Sequence, residues 1–155
     1  MDITIPSTEL TDTVTDMWVE LADDQRAHGS DLLGPENRAR IREVVLQRIV
    51  ADNLLIARRD GAIVGFVMFT LERGQYEQDV EPGLIENLYV DPRERRAGVG
   101  TALLRAAEAS LAAAGATTVR LEAMASNDAA RQFYTAQGYA PHRVTFEKPV
   151  ENDTS

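Results

Sequence analysis

Apolar residues recur along this chain with two different periods, and each change of period marks the boundary of an element. A spacing of three to four residues between apolar positions predicts helices over residues 8–28, 35–50, 99–114 and 128–137. Runs rich in branched and aromatic residues predict strands over residues 3–5, 54–59, 62–71, 83–90, 118–123 and 144–147. The Asp60-Gly61 pair between the second and third of these strands predicts a β-hairpin.

The predicted elements follow one another in the order β-α-α-β-β-β-α-β-α-β. This mixed order predicts an α/β domain in which one mixed central β-sheet is flanked by helices. With 155 residues, 44% of them hydrophobic, the chain is long enough to bury the core of a single domain. We expect that domain to span residues 1–148, followed by a short polar tail over residues 149–155.

Charge and composition narrow the classes of partner. The net charge of −9 disfavours nucleic acids and anionic membranes, which both bind positive surfaces, and favours cationic partners. No apolar run approaches the roughly 20 residues of a membrane span, and the first residues lack the pattern of a signal peptide. We therefore expect a cytoplasmic protein. The absence of cysteine excludes a disulfide, a thiolate metal site and a cysteine nucleophile, and two histidines are too few to suggest a metal centre.

The choice of charged residues predicts a halophilic protein. Of the 16 basic residues only Lys148 is a lysine, whereas 25 residues are acidic. Carboxylates keep a surface hydrated in concentrated salt, while the long stem of lysine adds apolar surface. The alternative is a GC-rich genome that encodes arginine in place of lysine. A halophilic protein is expected to melt at a higher temperature in about 2 M KCl than in low salt. A melting temperature that does not rise would contradict halophily.

A loop containing two glycines lies between the predicted strand over residues 83–90 and the next helix. Its backbone N–H groups, the positive end of the helix dipole and two arginines can converge on one anion, which indicates a phosphate site. It is not a P-loop, because no Gly-Lys-Ser/Thr sequence follows, and Leu103 occupies the third glycine position of the dinucleotide pattern G-x-G-x-x-G. The residues of this glycine loop are Arg95, Arg96, Ala97, Gly98, Val99, Gly100 and Thr101.

A second motif follows the glycine loop: residues 127–139 read Asn-x-x-Ala-x-x-Phe-Tyr-x-x-x-Gly-Tyr. Together with the Arg-x-x-Gly-x-Gly pattern of the loop, and in this order, it resembles the GNAT superfamily of acyl-CoA-dependent N-acetyltransferases. The resemblance is specific from about residue 54 to residue 146. The residues before that match only the general layout of the family, a strand and two helices.

The resemblance implies acetyl-CoA as the cosubstrate and no metal. The pyrophosphate would rest on N–H groups of residues 96–101, with Arg95 and Arg96 as charged contacts. The pantetheine arm would run along the preceding strand as an added pseudo-strand. Asn127 would hydrogen-bond this arm, and the alternative is that it caps the helix after it. The implied cofactor-binding residues are Leu88, Tyr89, Val90, Arg95, Arg96, Ala97, Gly98, Val99, Gly100, Thr101, Asn127 and Tyr134.

Glu86 is the candidate general base. Strand alternation places it on one face with Leu84, Leu88 and Val90, so its carboxylate would lie among apolar neighbours. A desolvated carboxylate is a better proton acceptor near neutral pH, and an ammonium must lose a proton before it can attack. In the alternative, Glu86 accepts backbone N–H bonds or pairs with an arginine and only shapes the site.

Tyr134 is the candidate general acid. The resemblance places it beside the cofactor sulfur, where it would protonate the leaving thiolate. A phenol with an ordinary pKa near 10 is a reasonable donor to a thiolate. The alternative is an aromatic residue that only packs on the pantetheine arm.

The function implied by the resemblance is transfer of an acetyl group from acetyl-CoA to a primary amine by direct attack in a ternary complex. Because the chain is acidic, we expect a small cationic amine, bound between the loops over residues 28–35 and 72–82. Two alternatives stay open: acetylation of a protein lysine or N-terminus, and a non-catalytic acyl-CoA sensor. The oligomeric state is also open, with a homodimer as one expectation.

Overall fold

Helices and strands follow one another along the chain in nearly the predicted order. The computed structural model describes residues 1–72, 74 and 76–152. Residues 73 and 75 of the predicted amine-site loop and residues 153–155 of the predicted tail lie outside the described residues. The described elements are β1 (Asp2–Thr4), α1 (Thr11–Arg26), α2 (Arg38–Val50), β2 (Leu54–Arg59), β3 (Ala62–Leu71), β4 (Pro82–Val90), α3 (Val99–Ala113), β5 (Thr118–Leu121) and α4 (Asp128–Ala136).

The sheet has an antiparallel part and a parallel part. Among the described residues its strand order is β1-β2-β3-β4-β5. The strands β1 to β4 pair antiparallel, and β5 runs parallel to β4. The predicted hairpin joins β2 to β3, with Asp60 and Gly61 at φ of 51° and 80°. α3 provides the crossover that a parallel pair of strands requires. This architecture confirms the predicted α/β class with a mixed central sheet.

Helices cover both faces of the sheet, and each face has its own apolar core. In β2, Leu54 and Ile56 pack toward α1 and α2, whereas Leu55 and Ala57 pack toward α3. The core on the side of α1 and α2 also contains Val14, Ile41, Val45, Ile49, Phe66, Met68 and Tyr89. The core on the side of α3 also contains Val64, Val67, Phe69, Ile85, Val99, Leu103, Leu104, Ala107 and Leu111. In the part of the chain that the structure describes, no helix is long and apolar enough to cross a membrane.

A bulge in β4 corrects the predicted alternation around Glu86. In the described ladder with β3, the register passes from Asn87 directly to Ile85, so Glu86 has no opposing residue. One extra residue in a strand changes which side chains share a face. Ile85 therefore lies in the α3 core, against which Leu88 and Val90 also pack. Glu86 instead contacts α2, and its predicted position on the face of Leu88 and Val90 is wrong.

The last predicted strand, over residues 144–147, is not formed. Residues 140–152 have no regular secondary structure, and all of them are exposed. Val144 and Phe146 alternate with polar residues as a strand requires, but they are 69% and 91% exposed. A strand forms only when its backbone groups pair with a neighbouring strand. Because this segment does not pack on its own sheet, the alternation alone does not make it a strand.

Candidate functional site

β4 and β5 are paired over only part of β4, which leaves an opening between the two strands. The parallel ladder joins residues 82–85 to residues 118–121 and ends at Ile85 and Leu121. The bulge at Glu86 comes directly after the last paired residue, and a bulge bends and twists its strand. Residues 86–90 therefore border an opening on the side of β5.

The backbone groups of Leu88 and Val90 face this opening. The Asp91 N–H donates to the Val64 carbonyl of β3 at 2.8 Å, so the backbone of Asp91 is directed toward β3. Direction alternates along an antiparallel strand, so Tyr89 is also directed toward β3, whereas Leu88 and Val90 are directed away from it. These two residues offer the donors and acceptors that an extended ligand needs to join the edge of a sheet.

The glycine loop follows β4 after one short turn and leads into α3. Arg96 and Gly98 have left-handed backbone conformations, with φ of 68° and 82°. The first hydrogen bond within α3 runs from the Ala102 N–H to the Gly98 carbonyl at 3.1 Å. The N–H groups of residues 99–101 are therefore not used inside the helix. They point outward from the positive end of α3, which is an arrangement suited to an anion.

The two arginines of the glycine loop have different surroundings. Arg95 lies 3.7 Å from Asp24 of α1, and both side chains are about half exposed. Arg93, just before the loop, pairs with Asp91 at 2.8 Å. Among the described residues, Arg96 has no ion pair. Arg96 is therefore the cation of this loop that an incoming anion can reach without breaking an existing pair.

Residues that the sequence did not single out hold the glycine loop in place. Arg59, at the end of β2, pairs with Glu94 at 3.0 Å and reaches the Ala97 carbonyl at 3.5 Å. On the other side, Gln137 donates to the hydroxyl of Thr101 at 3.1 Å. No sequence signal identifies these residues, because both lie far from the loop along the chain and belong to types that are common on surfaces.

The start of α3, the end of β4 and α4 meet at Gly100. A Cβ added at Gly100 would lie 3.4 Å from Phe133 of α4 and 3.6 Å from Val90 of β4. Tyr134, the residue after Phe133, packs edge-on against it with ring centroids 5.4 Å apart. The structure therefore brings Tyr134 to the part of the molecule that contains Val90 and the glycine loop.

The hydroxyl of Tyr134 differs from those of Tyr139, which packs against it, and of Tyr89 in β4. The hydroxyls of Tyr89 and Tyr139 donate to carboxylates of Glu20 and Glu108, each at 2.7 Å. The Tyr134 hydroxyl has no hydrogen-bond partner in the described part of the chain. Burial raises the pKa of the Tyr134 phenol, so the hydroxyl keeps its proton at neutral pH. Tyr134 thus offers a protonated hydroxyl that is not engaged elsewhere.

Asn127 caps α4. Its side-chain oxygen accepts a hydrogen bond from the Ala130 N–H at 3.1 Å, as in the capping interpretation. The amide group of Asn127 also carries two donors, and no partner for them is present among the described residues. The capping role therefore leaves Asn127 able to donate to a ligand, and its two interpretations are compatible.

The carboxylate of Glu86 is bound by Arg48 of α2. Nε and Nη2 of Arg48 donate to the two carboxylate oxygens at 2.7 and 3.0 Å. Both side chains are mostly buried, with 25% of Arg48 and 20% of Glu86 exposed. The hydrogen bond to Glu86 raises the pKa of Arg48. This geometry matches the alternative in which Glu86 pairs with an arginine. A carboxylate has about four acceptor positions, and Arg48 uses two of them, so Glu86 can still accept further hydrogen bonds.

α1 binds the two other polar side chains of β4. Trp18 donates from its indole nitrogen to Asn87 at 3.0 Å. The Tyr89 hydroxyl donates to Glu20, and burial together with this hydrogen bond raises the pKa of Tyr89. The resemblance implies Tyr89, with Leu88 and Val90, as a cofactor-binding residue. The side chain of Tyr89 is only 3% exposed and packs in the core on the side of α1 and α2, so it does not lie at the open edge of β4.

α1 and the loop after it cover one side of the opening. Ser126, in the loop before α4, donates to the His28 carbonyl at 2.8 Å. A Cβ added at the neighbouring Gly29 would lie 3.7 Å from Met124. Because α1 also binds β4 through Trp18 and Glu20, this helix and its loop extend from β4 to the residues that follow β5.

The other predicted amine-site loop covers residues 72–82, and its Tyr76 side chain is 84% exposed.

The chain is similar to known acetyltransferases in sequence and in fold. The model of the acetyltransferase (GNAT) family matches residues 15–139. Mycothiol acetyltransferase from Sanguibacter keddieii is 31% identical over 105 residues, which are 68% of this chain and 33% of the relative. The chain thus spans about a third of the length of that relative.

Solved structures share the fold. A GCN5-related N-acetyltransferase from Ralstonia eutropha has a TM-score of 0.75 at 24% identity, over 96% of this chain and 97% of that one. The aminoglycoside N-acetyltransferase AAC(6')-Iy, solved in complex with CoA, has a TM-score of 0.74 at 18% identity, over 96% and 93% of the two chains. With the family model covering most of the chain, the resemblance is confirmed: this protein belongs to the acetyltransferase (GNAT) family.

Proposed function

We propose that this protein is an acyl-CoA-dependent N-acetyltransferase that acts on a small cationic amine. One observation carries the proposal: the open edge of β4 leads through one short turn into the glycine loop. An extended ligand paired with Leu88 and Val90 would therefore present an anionic end to the donors of residues 96–101. Acetyl-CoA has this form, an amide-containing arm that ends in a pyrophosphate.

The residues present fit acetyl-CoA. Leu88 and Val90 would hydrogen-bond the arm through their backbone, and Asn127 would add a side-chain donor. Arg96, with the N–H groups of the glycine loop and Arg95, would hold the pyrophosphate. Bound in this way, acetyl-CoA supplies an acetyl group activated as a thioester.

Tyr134 is proposed as the proton donor. Its hydroxyl has no competing partner among the described residues, and its raised pKa keeps it protonated. It would donate this proton to a departing thiolate, which is the role of a general acid. A non-catalytic acyl-CoA sensor would have no need of a protonated, unengaged hydroxyl here, so Tyr134 favours the enzyme over the sensor.

Glu86 is proposed to accept the proton of the amine through a water molecule. Direct contact is disfavoured because Arg48 occupies one position on each oxygen and its positive charge repels an ammonium. The remaining positions on the carboxylate can bind a water that passes the proton. Arg48 then has a positioning role, since it fixes the orientation of the carboxylate.

The variant Glu86→Gln tests this role. We expect kcat to fall about 10- to 100-fold at pH 7, and much less near pH 9, where more of the amine is already deprotonated. Arg48→Gln is the matched variant, because it breaks the same ion pair and keeps the carboxylate. If both variants lower kcat equally at both pH values, Glu86 only shapes the site and the role as a base is contradicted.

The acceptor is proposed to be small because α1 and its loop cover one side of the opening. A protein lysine would need an open groove for the residues that flank it. Glu20 on α1, with the net charge of −9, favours a cation, whereas Asp24 is already paired with Arg95. The names of mycothiol acetyltransferase and of the aminoglycoside N-acetyltransferase both refer to small molecules, which supports the same class of acceptor here.

A competition assay tests the proposed function. The protein and acetyl-CoA are incubated with an equimolar mixture of polyamines, aminoglycosides, amino acids and lysine peptides. About 2 M KCl is used because the surface is acidic. Mass spectrometry then identifies the acetylated products, and we expect them to belong to one class of small amine. Acetylated peptides alone would favour the protein-directed alternative, and binding of acetyl-CoA without any product would favour the sensor.

A further inference from the structure

The bulge in β4 places two consecutive polar side chains on the same side of the sheet. In a regular strand, neighbouring side chains point to opposite faces. Here Glu86 has no opposing residue in the described ladder, and its carboxylate pairs with Arg48 of α2. Asn87, the next residue, bonds Trp18 of α1. Because α1 and α2 cover the same face of the sheet, the side chains of Glu86 and Asn87 lie side by side next to the opening.

The side-chain amide of Asn87 has one defined orientation. The indole nitrogen of a tryptophan is only a donor, so the Asn87 atom that it contacts at 3.0 Å has to be the oxygen. The amide nitrogen, Nδ2, is therefore the branch that does not bind Trp18. In the part of the chain that the structure describes, Nδ2 has no hydrogen-bond partner, and no buried side-chain nitrogen lacks one. It follows that Nδ2 is within reach of solvent or of a ligand.

Asn87 and Arg48 surround Glu86 with donors that the proposed proton transfers do not use. Nδ2 of Asn87 carries two N–H groups and no acceptor. Nη1 of Arg48 has no partner among the described residues, and the guanidinium adds a positive charge. Both groups attract an oxygen atom and disfavour a second ammonium close to the reacting one. The surroundings of Glu86 therefore suit an acceptor in which an oxygen lies near the nitrogen.

We propose that Asn87 selects the acceptor by donating from Nδ2 to an oxygen on the carbon next to the one that bears the reacting nitrogen. This inference rests on the proposed function, because Glu86 places that nitrogen. Asn87 directly follows Glu86, so their two contacts would fall on atoms only a few bonds apart. The oxygen belongs to a hydroxyl or to a carbonyl, since both offer a lone pair to an N–H group. A plain alkylamine, which has no such oxygen, would leave the Nδ2 donors unpaired.

Trp18 is a positioning residue for this contact. Its ring packs against the core on the side of α1 and α2, so the indole N–H stays directed at the Asn87 oxygen. Without that N–H the amide would be free to turn and to present its oxygen to the ligand. Trp18 is also the one tryptophan of the chain, so its emission reports on the surroundings of Asn87.

Binding of matched amines, followed by the emission of Trp18, tests the proposal. Ethanolamine and propylamine differ by a hydroxyl in place of a methyl group, and glycinamide and isobutylamine differ by a carboxamide in place of a branched alkyl group. Each amine is titrated into the protein in complex with CoA. In at least one pair the oxygen-bearing amine should bind about fivefold more tightly, the usual effect of one hydrogen bond, and that pair identifies the oxygen. No preference in either pair, or no binding of any of the four amines, would overturn the proposal.

The variant Asn87→Leu tests whether the preference belongs to the amide. Leucine has a similar size and no donor, so the preference should disappear while the alkylamines bind nearly as they do to the wild type. Asn53→Leu is the matched control: Asn53 is half-buried like Asn87 but lies just before β2, two strands away from β4, so this variant should keep the preference. A preference that survives Asn87→Leu, or one that both variants lose equally, would overturn the proposal.

The variant Trp18→Phe tests the positioning role. It keeps the Asn87 amide and an aromatic ring but removes the indole N–H, so the preference should become smaller. Calorimetry replaces fluorescence here, because no tryptophan remains. An unchanged preference would contradict the positioning role of Trp18.

These titrations use CoA without an acetyl group, so they do not depend on turnover. Acetylation of amines without the preference would overturn this inference alone. Preferential binding without any acetylation would contradict the proposed function alone.

Discussion

Replacing Tyr134 by phenylalanine is expected to lower kcat about 100-fold while the affinity for acetyl-CoA stays the same. The substitution removes only the hydroxyl, and general acid catalysis contributes at least about this factor. Because the hydroxyl has no partner among the described residues, its loss should not lower the melting temperature. Steady-state kinetics with the best amine, together with a titration of acetyl-CoA, measure both effects. A change in kcat of less than about twofold would mean that Tyr134 only packs in the site.

Tyr139→Phe is the matched control for Tyr134→Phe. Both tyrosines lie at the same end of the molecule, with ring centroids 6.0 Å apart, but the Tyr139 hydroxyl donates to Glu108. Removing it should cost about 1 kcal/mol of folding free energy and leave kcat nearly unchanged. If both variants lose kcat equally, the effect belongs to the packing of this region and not to the Tyr134 proton.

Gly65→Ala is expected to cause the largest loss of stability, about 3 kcal/mol, which lowers the melting temperature by roughly 6–12 °C. A Cβ at this position of β3 would lie 2.5 Å from the Tyr89 carbonyl and 3.1 Å from Leu103. The carbonyl belongs to the paired backbone of β4 and cannot move without disturbing the ladder. Since the displaced backbone includes Val90 at the open edge, the variant should also bind acetyl-CoA more weakly.

Gly100→Ala provides the comparison for stability. A Cβ there would meet Phe133 at 3.4 Å and Val90 at 3.6 Å, which are ordinary contacts. Alanine is also a better helix former than glycine at the start of α3. Thermal melting of the two variants should therefore separate them, with Gly100→Ala close to the wild type. A Gly65→Ala protein that melts as the wild type does would contradict the close packing of β3 on β4.

Most of the fold could be predicted from the sequence because its signals are local. The Asp60-Gly61 turn and the helical spacing of apolar residues each act over a few positions, and the structure confirms them. The bulge at Glu86 was not predictable, because a strand with one extra residue has no marker in this sequence. The pattern over residues 144–147 is also local, but a strand requires a partner edge, and a sequence pattern does not show whether one is within reach.

The candidate site, like the fold, has parts that the sequence predicts and parts that it does not. The glycine loop and the motif over residues 127–139 are contiguous in sequence, so their residues could be named before the fold was known. The side chains that hold the site come from distant positions: Arg48 is 38 residues from Glu86, and Trp18 is 69 residues from Asn87. Only the folded chain brings these pairs together.

A calorimetric titration of acetyl-CoA tests most directly the central claim that the open edge of β4 and the glycine loop form its binding site. Wild type, Arg96→Gln and Arg105→Gln are compared, because Arg105 is an exposed arginine within α3, outside the glycine loop. We predict saturable binding by the wild type, an affinity about tenfold lower for Arg96→Gln, which corresponds to about 1.4 kcal/mol, and no change for Arg105→Gln. Absence of binding by the wild type, or equal losses in the two variants, would contradict the claim.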